Sequence, residues 1–125
     1  MTTHTVETVL RDLRQIVSER PSGWTYGDEM AQLGLLRSSN CWYAVAGKPM
    51  CLVGQWLHRY AGVPASRMEN TATMAIVYVP RHVPDVAPAA TQLLQRVQDL
   101  QDRGESWAVA VRHAANEAQK GAANA

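Results

Sequence analysis

Cys51 is the residue whose type and position best suit nucleophilic chemistry. Met50 to Tyr60 reads as a helix, with Cys51 at its N-terminal end. There, unpaired amides and the helix dipole lower a thiol pKa. His58 follows seven residues later on nearly the same face, so one reading is a Cys–His pair acting as nucleophile and base. Two helical turns would separate them by roughly 10 Å along the axis, against the ~3 Å that direct proton transfer needs. His82, beyond the next apolar run, is the better-placed partner. No oxyanion donor or third orienting residue accompanies these three, and the plain alternative makes Cys51 a small core residue.

Cys41, Cys51, His58 and His82 together offer metal-ligand chemistry. Zinc sites usually carry tight pairs such as C-x₂₋₄-C or H-x₃₋₅-H. The chain has neither, so no metal and no cofactor is expected. Phosphate-loop, dinucleotide, zinc-protease and serine-elbow motifs are missing as well. A non-enzymatic protein is therefore expected, with a Cys51-centred thiol enzyme as the weaker alternative.

Aromatic residues offer binding chemistry. Trp56 and Trp107 fall on apolar helical stripes and read as core. Trp24, Tyr26 and Trp42 lie in irregular segments and are expected to be partly exposed. Joined by Tyr43 and by Arg37 or Arg59, they would form an aromatic wall with a cation, suited to a small ligand such as a nucleotide signal.

The elements that must position these residues follow from periodicity. Val6, Val9, Leu10, Leu13, Ile16 and Val17 make one face of a helix over 5–20, which Thr3 or Thr5 caps and Pro21-Ser22-Gly23 ends. Asp28 is expected to cap a short helix reaching Leu36. Residues 41–46 have strand character, and Ala46-Gly47-Lys48-Pro49 reads as a turn. Leu52, Val53, Trp56, Leu57 and Tyr60 form the stripe of the next helix, started by Pro49 and stopped by Gly62. Residues 65–73 read as a short helical turn. Met74 to Val79 is a strand or a short buried helix, since periodicity does not separate the two at that length.

Asp85 is expected to cap a helix carrying Val86, Ala90, Leu93, Val97 and Leu100 four and three apart. After Gly104 a last helix places Trp107, Val111, Ala114 and Ala118 on one face, and the two form an antiparallel pair. The fold class expected is mainly α: one compact domain over 1–120, with four to five helices, a short strand or hairpin near 41–46, a second strand possible at 74–79, and a frayed tail over 121–125. The Val86–Leu100 seam is a candidate surface for a homodimer.

Arg96, Arg103, Arg112, His113 and Lys120 dot the last two helices, but Asp99, Asp102 and Glu105 alternate with them. Leu100 occupies the place where a helix-turn-helix wants a small residue. These read as solvated faces, and DNA binding is not expected. The net charge of +1 argues the same way, and against a basic membrane-surface protein. Hydrophobic residues make up 46% of 125, enough to build a core and against disorder. No apolar run approaches the ~20 residues of a bilayer span. The N-terminus shows no basic and apolar leader pattern, so a cytoplasmic location is expected. Two cysteines make no disulfide framework. Lysine occurs only at 48 and 120, phenylalanine is absent and alanine abundant, as GC-rich coding produces.

Gly47-Lys48-Pro49-Met50-Cys51-Leu52-Val53-Gly54, continuing through Leu57-His58-Arg59 to Gly62-Val63-Pro64, resembles a core seen in small uncharacterised proteins of actinobacteria and their phages. Gln101-Asp102-Arg103-Gly104 with Trp107, Ala110 and Val111 is similar to their C-terminal pattern. Residues 71–84 depart from it. The resemblance implies a phage or prophage origin and brings no activity and no catalytic residue. It frames the expected function: an accessory factor that binds a host protein, or alternatively a protein that sequesters a small ligand. In the shared core, Cys51 and Gly54 are small residues at a helix start, where another backbone can approach closely.

Overall fold

The computed structural model describes residues 3–34 and 42–123, the last three by their backbone. Arg37, Cys41 and Leu36 lie outside the described residues. The protein is mainly helical: α1 (Val6–Ser18), α2 (Tyr26–Gln32), α3 (Leu52–Arg59), α4 (Ala75–His82), α5 (Pro88–Asp102) and α6 (Trp107–Ala123). A two-stranded antiparallel hairpin, β1 (Ala44–Val45) and β2 (Lys48–Pro49), precedes α3, and a short 3-10 helix (Ala65–Met68) follows it.

α5 is the central element. It packs against α6, α4, α3 and α1, while α1 also meets α6 and α3. Leu94 and Val97 of α5, Trp107 and Ala110 of α6, Trp56 and Leu57 of α3 and Val9 and Leu13 of α1 are all fully buried in one core. The six α-helices among the described residues exceed the four to five expected, because residues 75–79 belong to a helix that Met74 precedes. Along the Val86–Leu100 seam, Ala90, Leu93, Val97 and Leu100 are buried within the chain and Val86 is half-buried.

Local chemistry sets the element ends. Thr5 caps α1 and Thr25 caps α2, each in a capping box with the residue three further on. Asp28 thus serves α2 by accepting the Thr25 amide, 2.9 Å away, rather than as its N-cap. Pro49 pairs with Ala44 in the hairpin instead of opening α3, and the cap of α3 is Cys51. Asp85 caps nothing: α5 starts at Pro88, after Ala87. The Asp85 carbonyl instead accepts the amide of His4, and the His4 carbonyl accepts from Ala87, which ties the N-terminal segment beside α5. α6 runs to Ala123, past the expected end at 120, and residues 124–125 lie outside the described residues.

The hairpin turn places Ala46 at φ 52° and Gly47 at φ 76°. Primed hairpin turns need positive φ at these positions, which glycine supplies without strain. The Gly47 amide donates to Glu69, and the Asn70 amide to the Ala44 carbonyl, so the segment after the 3-10 helix holds the hairpin against the core.

Candidate interaction surface

α4 begins in an apolar run without a capping side chain of its own. Its first amides are satisfied from α5: Ala75 N–H donates to Gln98 Oε1 at 2.8 Å and Ile76 N–H to Gln95 Oε1 at 2.9 Å. Gln101, three residues further along α5, accepts the Leu52 amide of α3 at 2.9 Å. Glutamines at 95, 98 and 101 lie on one side of a helix and close the open N-termini of two neighbours. This arrangement makes 75–82 a helix, and no residue within the run signals it.

The helix buries Ala75, Tyr78 and Val79 toward α5. Tyr78 packs on Tyr43, with ring centroids 4.9 Å apart, and on His82 at 4.0 Å. The opposite face stays open: Met74 is 56%, Ile76 42% and Val77 39% exposed. Pro80 and Arg81 continue that face. Met74, Val77 and Arg81 follow a three-then-four spacing, which sets them in one row along the helix.

The thiol geometry differs from a reactive one. Cys51 is fully buried, and its Sγ accepts the Gly54 amide at 3.2 Å. That contact lowers the pKa, but burial outweighs it and pushes the thiol up to about 12. His58 is exposed and its Nδ1 lies 3.1 Å from the Val63 carbonyl oxygen. His82 Nδ1 lies 3.0 Å from the Tyr78 carbonyl oxygen. Each of the three is engaged elsewhere, and the fold does not assemble them into a nucleophile and base.

The aromatic residues named from the sequence are in part buried or already engaged within the chain. Tyr26 is buried, against the expectation of exposure, because its hydroxyl accepts the Trp42 amide beneath the hairpin. Tyr43 is fully buried: its hydroxyl donates to the Thr73 carbonyl and accepts from Gln98 Nε2 at 3.0 Å. Trp24 and Trp42 are half-buried. The Trp24 indole N–H is spent on Glu29, 2.9 Å away. Arg59 is held by both carboxylate oxygens of Glu19, at 2.5 and 2.7 Å. That pairing keeps the Glu19 pKa down at about 2.

The three described cavities lie elsewhere and are lined by none of these residues. One of about 670 Å³ runs between α1, α5 and α6, one of about 350 Å³ sits beside the N-terminal half of α1, and one of about 260 Å³ lies between α1 and α6. Among the described residues, no group of three or more His, Cys, Asp or Glu is placed to hold a metal, and no helix is long and apolar enough to cross a membrane.

Sequence reasoning missed the polar residues on buried faces. Asp12, Glu29, Gln98 and Gln101 are all buried. The signal was present for Asp12, which stands three after Val9 and four before Ile16, on the apolar face of α1. No protein-family model, curated protein or solved structure matches the chain.

Proposed function

We propose that the protein is a non-enzymatic interaction factor that docks a partner protein on the outer face of α4. One observation carries this reading. Four large apolar side chains are exposed among the described residues, and three of them, Met74, Ile76 and Val77, stand together at the start of one helix. A clustered apolar ridge on an otherwise well-buried chain marks a contact surface, whereas scattered exposed residues do not.

The rim supplies the partner's chemistry. Arg81 extends the row of Met74 and Val77. It has no carboxylate partner among the described residues. The complementary surface is therefore apolar and edged with a carboxylate. On the resemblance of the Gly47–Pro64 stretch, the chain is a phage or prophage accessory factor and the partner a protein of the bacterial host.

Site-specific photo-crosslinking in host cells tests this. A crosslinker at Val77 is expected to capture a defined partner that one at the exposed Ala108 of α6 does not. Ile76→Glu, on the same ridge, is expected to abolish the capture without changing the melting temperature. Equal capture from both positions, or capture that survives Ile76→Glu, would rule out docking on α4.

A further inference from the structure

The 350 Å³ cavity beside α1 is lined by His4, Thr8, Arg11, Asp12, Gln15 and Tyr60, among others. Asp12 is the unusual member. It is 94% buried by residue, being 6% exposed, yet it borders open space. A buried carboxylate is expensive to desolvate unless a cation or several donors face it. Here Oδ2 accepts one neutral donor, the Trp56 indole N–H at 3.2 Å. Among the described residues, Oδ1 has only the guanidinium of Arg11 at 3.6 Å, on a side chain that is 76% exposed. That distance is beyond a hydrogen bond, so Arg11 leaves Oδ1 without a bonded donor while its charge still faces the carboxylate from the rim.

The rest of the lining suits a cation with N–H donors. Thr8 and Gln15 add neutral oxygens. The His4 ring meets the Trp56 ring edge-on at 5.1 Å, and Tyr60 adds an aromatic border. A divalent metal is a poor fit, since no cluster of three anionic or imidazole ligands exists among the described residues.

We propose that this cavity binds a small primary ammonium ion, with the ammonium on the Asp12 carboxylate and a short apolar chain against Tyr60 and His4. Arg11 competes for the same carboxylate from the rim. The site is separate from the α4 ridge and stands whether or not that ridge docks a protein.

The Trp56 indole N–H donates to the same carboxylate, so its ¹H–¹⁵N resonance is a direct reporter. Titration with n-butylammonium chloride at constant ionic strength is expected to shift that resonance saturably. Sodium chloride is expected to leave it unmoved, and tetramethylammonium, which has charge but no N–H, to act more weakly. N-acetyl-lysine amide brings the same ammonium on a peptide backbone, and a tighter response to it than to n-butylammonium assigns the site to a lysine side chain rather than a free amine. Asp12→Asn keeps an oxygen for Trp56 and removes the charge. It should weaken binding by about tenfold or more, the scale of one charge-assisted hydrogen bond. Arg11→Gln lies on the exposed side chain, should fold normally, and is expected to tighten binding severalfold. The proposal is overturned if n-butylammonium gives no saturable shift, if Asp12→Asn responds like the parent, or if Arg11→Gln fails to tighten binding.

Discussion

The backbone of Tyr43 lies so close to Gly54 that a Cβ on residue 54 would stand 2.2 Å from the Tyr43 carbonyl oxygen. That carbonyl is also fixed from another side, accepting the Met50 amide at 2.8 Å. The hairpin and the first turn of α3 therefore meet backbone to backbone, and neither can yield by a side-chain rotation.

Gly54→Ala should test this contact sharply. Alanine is the better helix former by about 1 kcal/mol, so a loosely packed site would gain stability. Here the methyl meets main chain, and overpacking of that kind costs about 3 kcal/mol or more. Urea unfolding should show a clear fall in midpoint. An unchanged or raised midpoint would show that the hairpin does not rest on α3.

Gln98 should matter far more than Gln95, though both cap α4. Gln98 is buried and also donates to the Tyr43 hydroxyl. Gln98→Leu strands the Ala75 amide and is expected to cost about 2–3 kcal/mol, the penalty for a buried donor left unpaired. Gln95→Ala exposes the Ile76 amide to water, with a loss below about 1 kcal/mol. Chemical denaturation of the two variants side by side checks the order.

Glu29 anchors α2 to the rest of the core. It is buried and accepts from Arg20 Nε at 2.8 Å and from the Trp24 indole. Glu29→Ala leaves both donors without their acceptor and is expected to cost roughly 3–5 kcal/mol. The exposed Glu19–Arg59 pair should matter much less on Glu19→Ala, and its contribution should fade as the pH falls from the ordinary carboxylate range toward about 2. Thermal melts of both variants at neutral pH, and of Glu19→Ala across the acid range, decide this.

Cys51 should resist iodoacetamide in the native protein and react on denaturation, as read by mass spectrometry of the peptide that contains it. Its thiol also makes stability fall in alkali. The unfolded thiol ionises near 9, while burial holds the folded one up to about 12. Between these values the unfolded chain binds fewer protons than the native chain, so stability drops as pH rises, by about 1.4 kcal/mol per pH unit at most from this group. Cys51→Ala should flatten that part of the profile relative to the parent. Native labelling below pH 9, or parallel profiles, would contradict the burial of this thiol.

Much of this architecture is legible in the sequence. The apolar spacing of Val9, Leu13 and Ile16 announces α1, and that of Leu52, Val53, Trp56 and Leu57 announces α3. Trp56 and Trp107 sit where their stripes place them, fully buried. Small residues at Cys51 and Gly54 forecast a close backbone approach, and Gly54 makes one with Tyr43. The candidate surface was far less legible. Tyr26 sits in a segment that suggests exposure, but its hydroxyl accepts the Trp42 amide within the chain, and so it can be buried.

Taken alone, the sequence determined the helices whose apolar faces repeat over several turns, a turn within residues 46–49, and the absence of familiar catalytic motifs. These are properties of short stretches, set by backbone sterics and by which residues fall on one side of a helix. The tertiary structure decided that 75–82 is a helix, because its first amides find acceptors on Gln98 and Gln95, which are distant in the chain. It also decided that Ala90, Leu93, Val97 and Leu100 of α5 are buried while Met74, Ile76 and Val77 are exposed, and that Asp12 lies buried beside a cavity. Periodicity shows that a face is apolar. Which surface covers that face, or leaves it open, depends on contacts between segments far apart in sequence.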